Sequence, residues 1–200
     1  MTTFLFVRHG RIAKGTADPT LSSVGKEEAA KTAVHLQTQP ITHIFASPLR
    51  RARETADIIA AAHRLPVIIE PLLRERANWG DASEQSFPDF VAMWELSNRK
   101  RDWQPPVGDS ARSAGQRIEQ FSKVQQQQHP QATILAVTHG GVIADFLLNV
   151  FTVAELTAVH PQFSAAPYSG EIMRQCSVTV AQFDGKRVDL KAVAQIEHLD

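Results

Sequence analysis

Six short apolar runs punctuate this 200-residue chain, and two of them stop in the same way. "FLFVRHG" carries Phe4 to Val7 into Arg8, His9 and Gly10, and "ATILAVTHGG" reaches Val137 before Thr138, His139, Gly140 and Gly141. A short β-branched, aliphatic or aromatic run that halts at glycine is a buried strand entering a loop. The others are "ITHIFASP", "PVIIEP", "SVTVAQFD" and "RVDLKAVAQI". Helical patterns lie between several of them. Ala29, Ala30, Ala33, Val34 and Leu36 lie on or near one face, "LRRARETADIIAAAH" follows Pro48, and "GVIADFLLNVF" follows the second glycine stop. Pro48 suits the first turn of its helix. Another helix starts near Asp109-Ser110 and ends in the solvated run Gln125 to Gln128. Strands alternating with helices predict an α/β fold in three layers, a mostly parallel sheet flanked by helices.

Residues 79–108 break the rhythm. Phe87, Phe90, Val91 and Trp94 recur at helical spacing, followed by Arg99-Lys100-Arg101 and a Pro105-Pro106 loop. This is a helical insertion over the active-site edge; its apolar stripe is expected to pack on the domain, and its basic run to be a solvated turn. At this length, with 43% hydrophobic residues, the chain is expected to form one domain over 1–200.

Lys plus Arg and Asp plus Glu number 21 each, so no global field draws the protein to nucleic acid or an anionic membrane. Ligand charge must be met locally. Cys176 is the only cysteine, which rules out an internal disulfide. No apolar run is long enough for a signal or membrane segment, and a cytoplasmic protein is expected. Oligomeric state is left open, a homodimer included.

In an open α/β sheet, ligands bind outside the carboxyl ends of the strands, so two strands that end in histidine can point both imidazoles into one crevice. Gly140-Gly141 ahead of a helix adds free N–H groups and a positive dipole end, which suit an anion. "SPLRRARETA" sets Arg50, Arg51 and Arg53 after the second strand; on a helix they cannot all face one way. "EPLLRERANWG" sets Glu75 just beyond the third. His35, His43, His63, His129, His160 and His198 end no strand beside glycine and are expected in surface or packing roles.

Taken in order, "VRHG", "LSSVGKEEA", "SPLRRARETA", "LLRERANWG", "GDS", "THGG", "CSVTV" and a closing "HL" resemble the histidine phosphatase superfamily, which includes the cofactor-dependent phosphoglycerate mutases and many small phosphatases. The resemblance runs nearly end to end. It implies His9 as nucleophile, Arg8 and Arg51 as phosphate-binding arginines, His139 as second histidine with Gly140 beside it, and Glu75 as acid/base. Three places depart from the family's pattern. Arg11-Ile12-Ala13-Lys14-Gly15-Thr16 stands where Glu-Thr and a phosphate-touching asparagine are common, Val107-Gly108-Asp109-Ser110 replaces Gly-Gly-Glu-Ser, and Gln175 replaces an asparagine.

The implied activity is metal-independent phosphomonoester hydrolysis on a small phosphorylated substrate through a phosphohistidine, with no metal or cofactor. Arginine forks match phosphate oxygens, and their charge keeps His9 unprotonated and nucleophilic. His139 acts as imidazolium or donor on the transferring group, and Glu75 protonates the leaving oxygen and then activates water. Three alternatives stand beside it. One is a phosphoglycerate mutase-type phosphotransferase, disfavoured by a short insertion and by a chain that ends close to its last strand. Another is a non-catalytic phospho-ligand binding module. The last is a metallohydrolase using His9, His139 and Glu75, which would set Arg8 and Arg51 beside a cation.

Overall fold

The computed structural model describes residues 1–200 except Thr16 and Ser164. Thr16 ends the stretch that departs from the family's pattern, so that residue lies outside the described residues. The elements are β1 (Thr2–Arg8), α1 (Ser23–Leu36), β2 (Ile41–Ala46), α2 (Arg50–His63), β3 (Val67–Ile69), α3 (Phe87–Arg99), α4 (Ala111–Gln128), β4 (Thr133–Thr138), α5 (Gly140–Val150), α6 (Val153–Val159), β5 (Val178–Phe183) and β6 (Val188–Gln195). Short 3-10 turns cover Pro71–Leu73 and Glu197–Leu199.

The six strands form one sheet in the order β3-β2-β4-β1-β5-β6. β3, β2, β4 and β1 run parallel, and β5 and β6 add antiparallel pairings on the β1 side. The sheet is therefore mixed. Alternation along β1 sends Phe4 and Phe6 to one face and Leu5 and Val7 to the other. The first face packs against Phe121 of α4 and Phe146 of α5. The second packs against Ala33 and Leu36 of α1 and Ile59 of α2. Phe4 meets Phe121 and Phe183 edge-on, with centroids 5.9 and 4.9 Å apart. Each such buried ring is worth about 1.5–3 kcal/mol in area removed from water.

Register aligns the strand ends. Arg8 lies opposite Thr138, and Ala46 lies opposite both Val137 and Ile69, so β1, β4, β2 and β3 all stop at one level. The loop after β1 is pressed onto α1. A Cβ on Gly10 would sit 2.5 Å from the Gly25 carbonyl, and one on Gly25 would sit 2.0 Å from the Arg11 carbonyl. No other residue fits at either place.

Several details differ from the sequence expectations. Pro48 lies outside the helical turn, because α2 begins at Arg50 with Leu49 as its N-cap. β3 is only three residues long, and α6, closed by a Thr152–Glu155 capping box, was not anticipated. Arg101 is not a solvated turn residue: its guanidinium donates to the carbonyls of Asp145 (2.9 Å) and Leu148 (3.0 Å) at the end of α5. Among the described residues, no helix is long and apolar enough to cross a membrane.

Candidate active site

His9 and His139 leave adjacent strands side by side. The His9 N–H donates to the Thr138 carbonyl (3.0 Å), and the two rings lie edge to face with centroids 5.1 Å apart. His9 Nδ1 is 2.8 Å from the Gly10 carbonyl, to which it donates, and this fixes the tautomer. Its Nε2 is left with a lone pair, which accepts from Arg51 Nε at 3.2 Å. Burial, then the charges of Arg51 and Arg8, hold the His9 imidazole well below its ordinary value, so it is neutral and able to attack.

Of the three arginines after β2, only Arg51 turns inward. It is buried, while Arg50 and Arg53 are exposed. Thr55 locks that choice by accepting from the Gly10 N–H (3.0 Å) and donating to the Arg51 carbonyl (2.7 Å), which ties α2 to the His9 loop. Asn78 Oδ1 accepts from Arg51 at 3.1 Å, and its amide donates to the Ala17 and Trp79 carbonyls. Arg8 donates to the Met173 carbonyl and runs past Gly140, where a Cβ would come within 3.2 Å of its side chain.

His139 is buried, and the Ser47 hydroxyl lies 2.7 Å from its Nε2. Its Nδ1 has no partner among the described residues. Burial, followed by the charges of Arg51, His9 and Arg8, holds His139 well below the usual histidine value.

Glu75 arrives on the loop after β3, anchored because Thr138 Oγ1 donates to the Leu73 carbonyl at 2.5 Å. Its oxygens accept from the Arg76 N–H and the Gly141 N–H, both at 3.0 Å, so it sits on the amino end of α5 and keeps a lone pair on each oxygen. The next residue, Arg76, is 2% exposed and pairs with Asp145 at 3.2 Å. The Arg76 guanidinium lies 3.8 Å from the Trp94 ring centroid and 4.9 Å from that of Tyr168, whose hydroxyl donates to Asp145 (2.6 Å). Burial pushes the Asp145 carboxyl up to about 7 against the pull of Arg76.

Arg8, His9, Arg51 and Glu75 line one cleft of about 350 Å³, with Asn78. It is lined also by Ile12, Trp79, Phe87, Phe90, Val91 and Trp94, the last beside Gly141 and Glu75. The α3 stripe thus faces the cleft rather than serving only to pack on the domain. Ser47, Thr55, Asn78 and the Arg76–Asp145–Tyr168 cluster were not singled out from sequence, although Ser47, Thr55, Asn78 and Arg76 lie inside the segments quoted above. His198 takes a packing role, with Nε2 against Thr32 Oγ1 (3.1 Å) and the Cys176 carbonyl (3.2 Å) and its ring stacked on His35. The His43 ring lies tilted by 31° against that of His129, with centroids 3.8 Å apart. Among the described residues, no group of three or more His, Cys, Asp and Glu is placed to hold a metal ion.

The histidine phosphatase superfamily (branch 1) model matches residues 4–195. A protein of Erwinia tasmaniensis named "Probable phosphoglycerate mutase GpmB" is 32% identical over 171 residues, covering 78% of this chain and 79% of that one. Among solved structures, a phosphoserine phosphatase from Entamoeba histolytica in complex with 3-phosphoglyceric acid superposes with a TM-score of 0.74 at 20% identity, covering all of both chains. A mycobacterial glucosyl-3-phosphoglycerate phosphatase complexed with VO3 superposes with a TM-score of 0.73 at 21% identity, over 97% of this chain and 99% of that one. At these identities the structural likeness is one of fold.

Proposed function

The chain belongs to the histidine phosphatase superfamily, branch 1, and from that premise we propose that it hydrolyses phosphate monoesters through a phosphohistidine on His9, without a metal. The observation that carries this reading is the state of His9: Nδ1 is committed to the Gly10 carbonyl, and Nε2 carries the lone pair, which accepts from Arg51 Nε and is released when that guanidinium turns to the phosphate.

Arg8 and Arg51 take the phosphate oxygens, the planar forks giving charge-assisted bonds in a largely desolvated cleft. The Nε2 lone pair of His9 forms the N–P bond as the ester P–O bond breaks. Charge spreading over the phosphoryl oxygens meets both guanidiniums, the His139 ring as donor and the amino end of α5 at Gly140. Glu75 gives its proton to the leaving oxygen. It then takes a proton from water as that water attacks phosphorus, and the N–P bond breaks to return the electron pair to Nε2.

Relatives named as phosphoglycerate mutases favour a second reading, phosphoryl transfer between two hydroxyls of one substrate. The cleft walls speak against it, since Phe87 and Val91, which line it, are themselves exposed to solvent rather than sealed over. The deciding experiment is phosphate release from p-nitrophenyl phosphate in excess EDTA. We expect turnover by the wild type and none by His9→Ala; activity that vanishes on chelation and returns with zinc would refute it.

A further inference from the structure

The phosphate end of the cleft is cationic, and its outer part is not. Among its lining residues, Arg8 and Arg51 are the only arginines or lysines, and both sit at the phosphate end. The wall above them is built from α3 and the Trp79 loop. Phe87, Phe90, Val91 and Trp94 fall on successive turns of one helix face, and Trp79 meets Phe87 edge-on with centroids 5.0 Å apart. Trp94 is held in turn by the Arg76 guanidinium on its ring. The wall is preorganised, not a loose flap.

Three arginines of the surrounding segments are engaged elsewhere. Arg74 pairs with Asp81 at 2.7 Å, Arg101 is bound to the end of α5, and Arg99 faces Glu95 at 3.9 Å on the solvent side. Lys14, beside Gly15 at the rim, is exposed and does not line the cleft. A second carboxylate or phosphate on a substrate would lose its water against aromatic rings and gain no partner. An aromatic or aliphatic group would bury apolar area against rings already fixed in place. The volume, near the low end for ligand clefts, suits a small molecule.

On the phosphomonoesterase reading above, we infer that the substrate class is a small monoester with one anionic group, its phosphate, and an uncharged apolar or aromatic leaving group that lies along the α3 face. Phe90 and Val91 determine this specificity. A phosphoglycerate or other doubly anionic ester is the disfavoured class.

Two measurements keep this inference separable from the hydrolase reading. The first is binding by calorimetry, which needs no turnover: phenylphosphonate should bind the wild-type protein at least about tenfold more tightly than 3-phosphonopropionate, which carries a carboxylate in place of the ring. The second is the ratio of kcat/KM for phenyl phosphate over 4-carboxyphenyl phosphate, expected near 10². Val91→Lys should narrow that ratio about tenfold, and Phe90→Ala should lower kcat/KM for phenyl phosphate while changing 3-phosphoglycerate far less. Equal or tighter binding of the carboxylate ligand overturns the specificity inference even if every ester is hydrolysed. Tight phenylphosphonate binding with no hydrolysis of any ester overturns the hydrolase reading and leaves the apolar leaving-group site standing.

Discussion

The Ser47 hydroxyl lies 2.7 Å from Nε2 of His139, at the end of β2 beside the end of β4. The contact engages Nε2 and fixes the orientation of the His139 ring, leaving Nδ1 without a partner among the described residues. Ser47 is thus a positioning residue for the His139 ring.

Replacing Ser47 by Ala should lower kcat by about 10 to 10² with little change in KM, the pattern of an interaction lost chiefly in the transition state. Ser47→Thr, which keeps the hydroxyl, should restore most of it. A change in KM alone would mean that Ser47 only shapes the pocket.

His9 should be the labelled residue after rapid quenching with radiolabelled substrate. The adduct should be acid-labile and base-stable, absent from His9→Ala, and slowly formed by His139→Ala. If the label maps to His139, the two histidines have exchanged roles.

Histidine titration gives a test in the free protein. Burial and the arginine charges depress both His9 and His139, so their ring resonances should remain those of neutral imidazole as pH falls through 6.5. Arg51→Gln removes the largest charge acting on either ring and should move both titrations upward. The unfolded chain binds more protons than the folded one once pH drops below 6.5, so these histidines favour folding above that value and cost stability below it. An ordinary titration for both rings in the wild type would contradict the arrangement.

Much of this site was legible because strand ends leave a local trace. His9 and His139 each follow an apolar run and precede glycine, and parallel pairing with Arg8 opposite Thr138 does the rest. The α3 stripe was ambiguous for a physical reason: spacing shows that Phe87, Phe90, Val91 and Trp94 share a face, but not which body that face meets. The ion pair of Arg76 and Asp145 joins residues 69 apart, and no periodicity marks either one. Arg101 was read as solvated because a basic run is usually a surface, yet the last carbonyls of α5 draw one member of it inward.

That buried pair carries its own prediction. Arg76→Met leaves the Asp145 carboxylate without its cation in an apolar setting and should cost about 3–5 kcal/mol in urea unfolding. Adding Asp145→Leu should recover a good part of the loss, since the orphaned charge is then gone. If the double variant is as unstable as the sum of the single ones, the two residues do not act as a pair.

Glu75→Gln separates the two proton steps. It should slow turnover of alkyl phosphates by about 10² to 10⁴, because a poor leaving oxygen needs the proton, while the burst of p-nitrophenol should fall much less, because that group departs as an anion. Equal losses on both substrates would contradict the general-acid role.

Water, rather than a second hydroxyl of the substrate, should be the phosphoryl acceptor. A mutase must hold its phosphohistidine away from water while an intermediate turns over in the site, which calls for a closed and dry chamber. Here Phe87 at the mouth is 54% exposed, and among the residues lining the cleft none is a further arginine or lysine that could retain a doubly charged intermediate by its second anion. An intermediate of that kind would escape, and water would take its place on the phosphohistidine. With 3-phosphoglycerate and a catalytic amount of 2,3-bisphosphoglycerate, free phosphate should therefore appear faster than 2-phosphoglycerate. Isomerisation much faster than phosphate release would show that the site retains its intermediate and that the enzyme is a phosphotransferase.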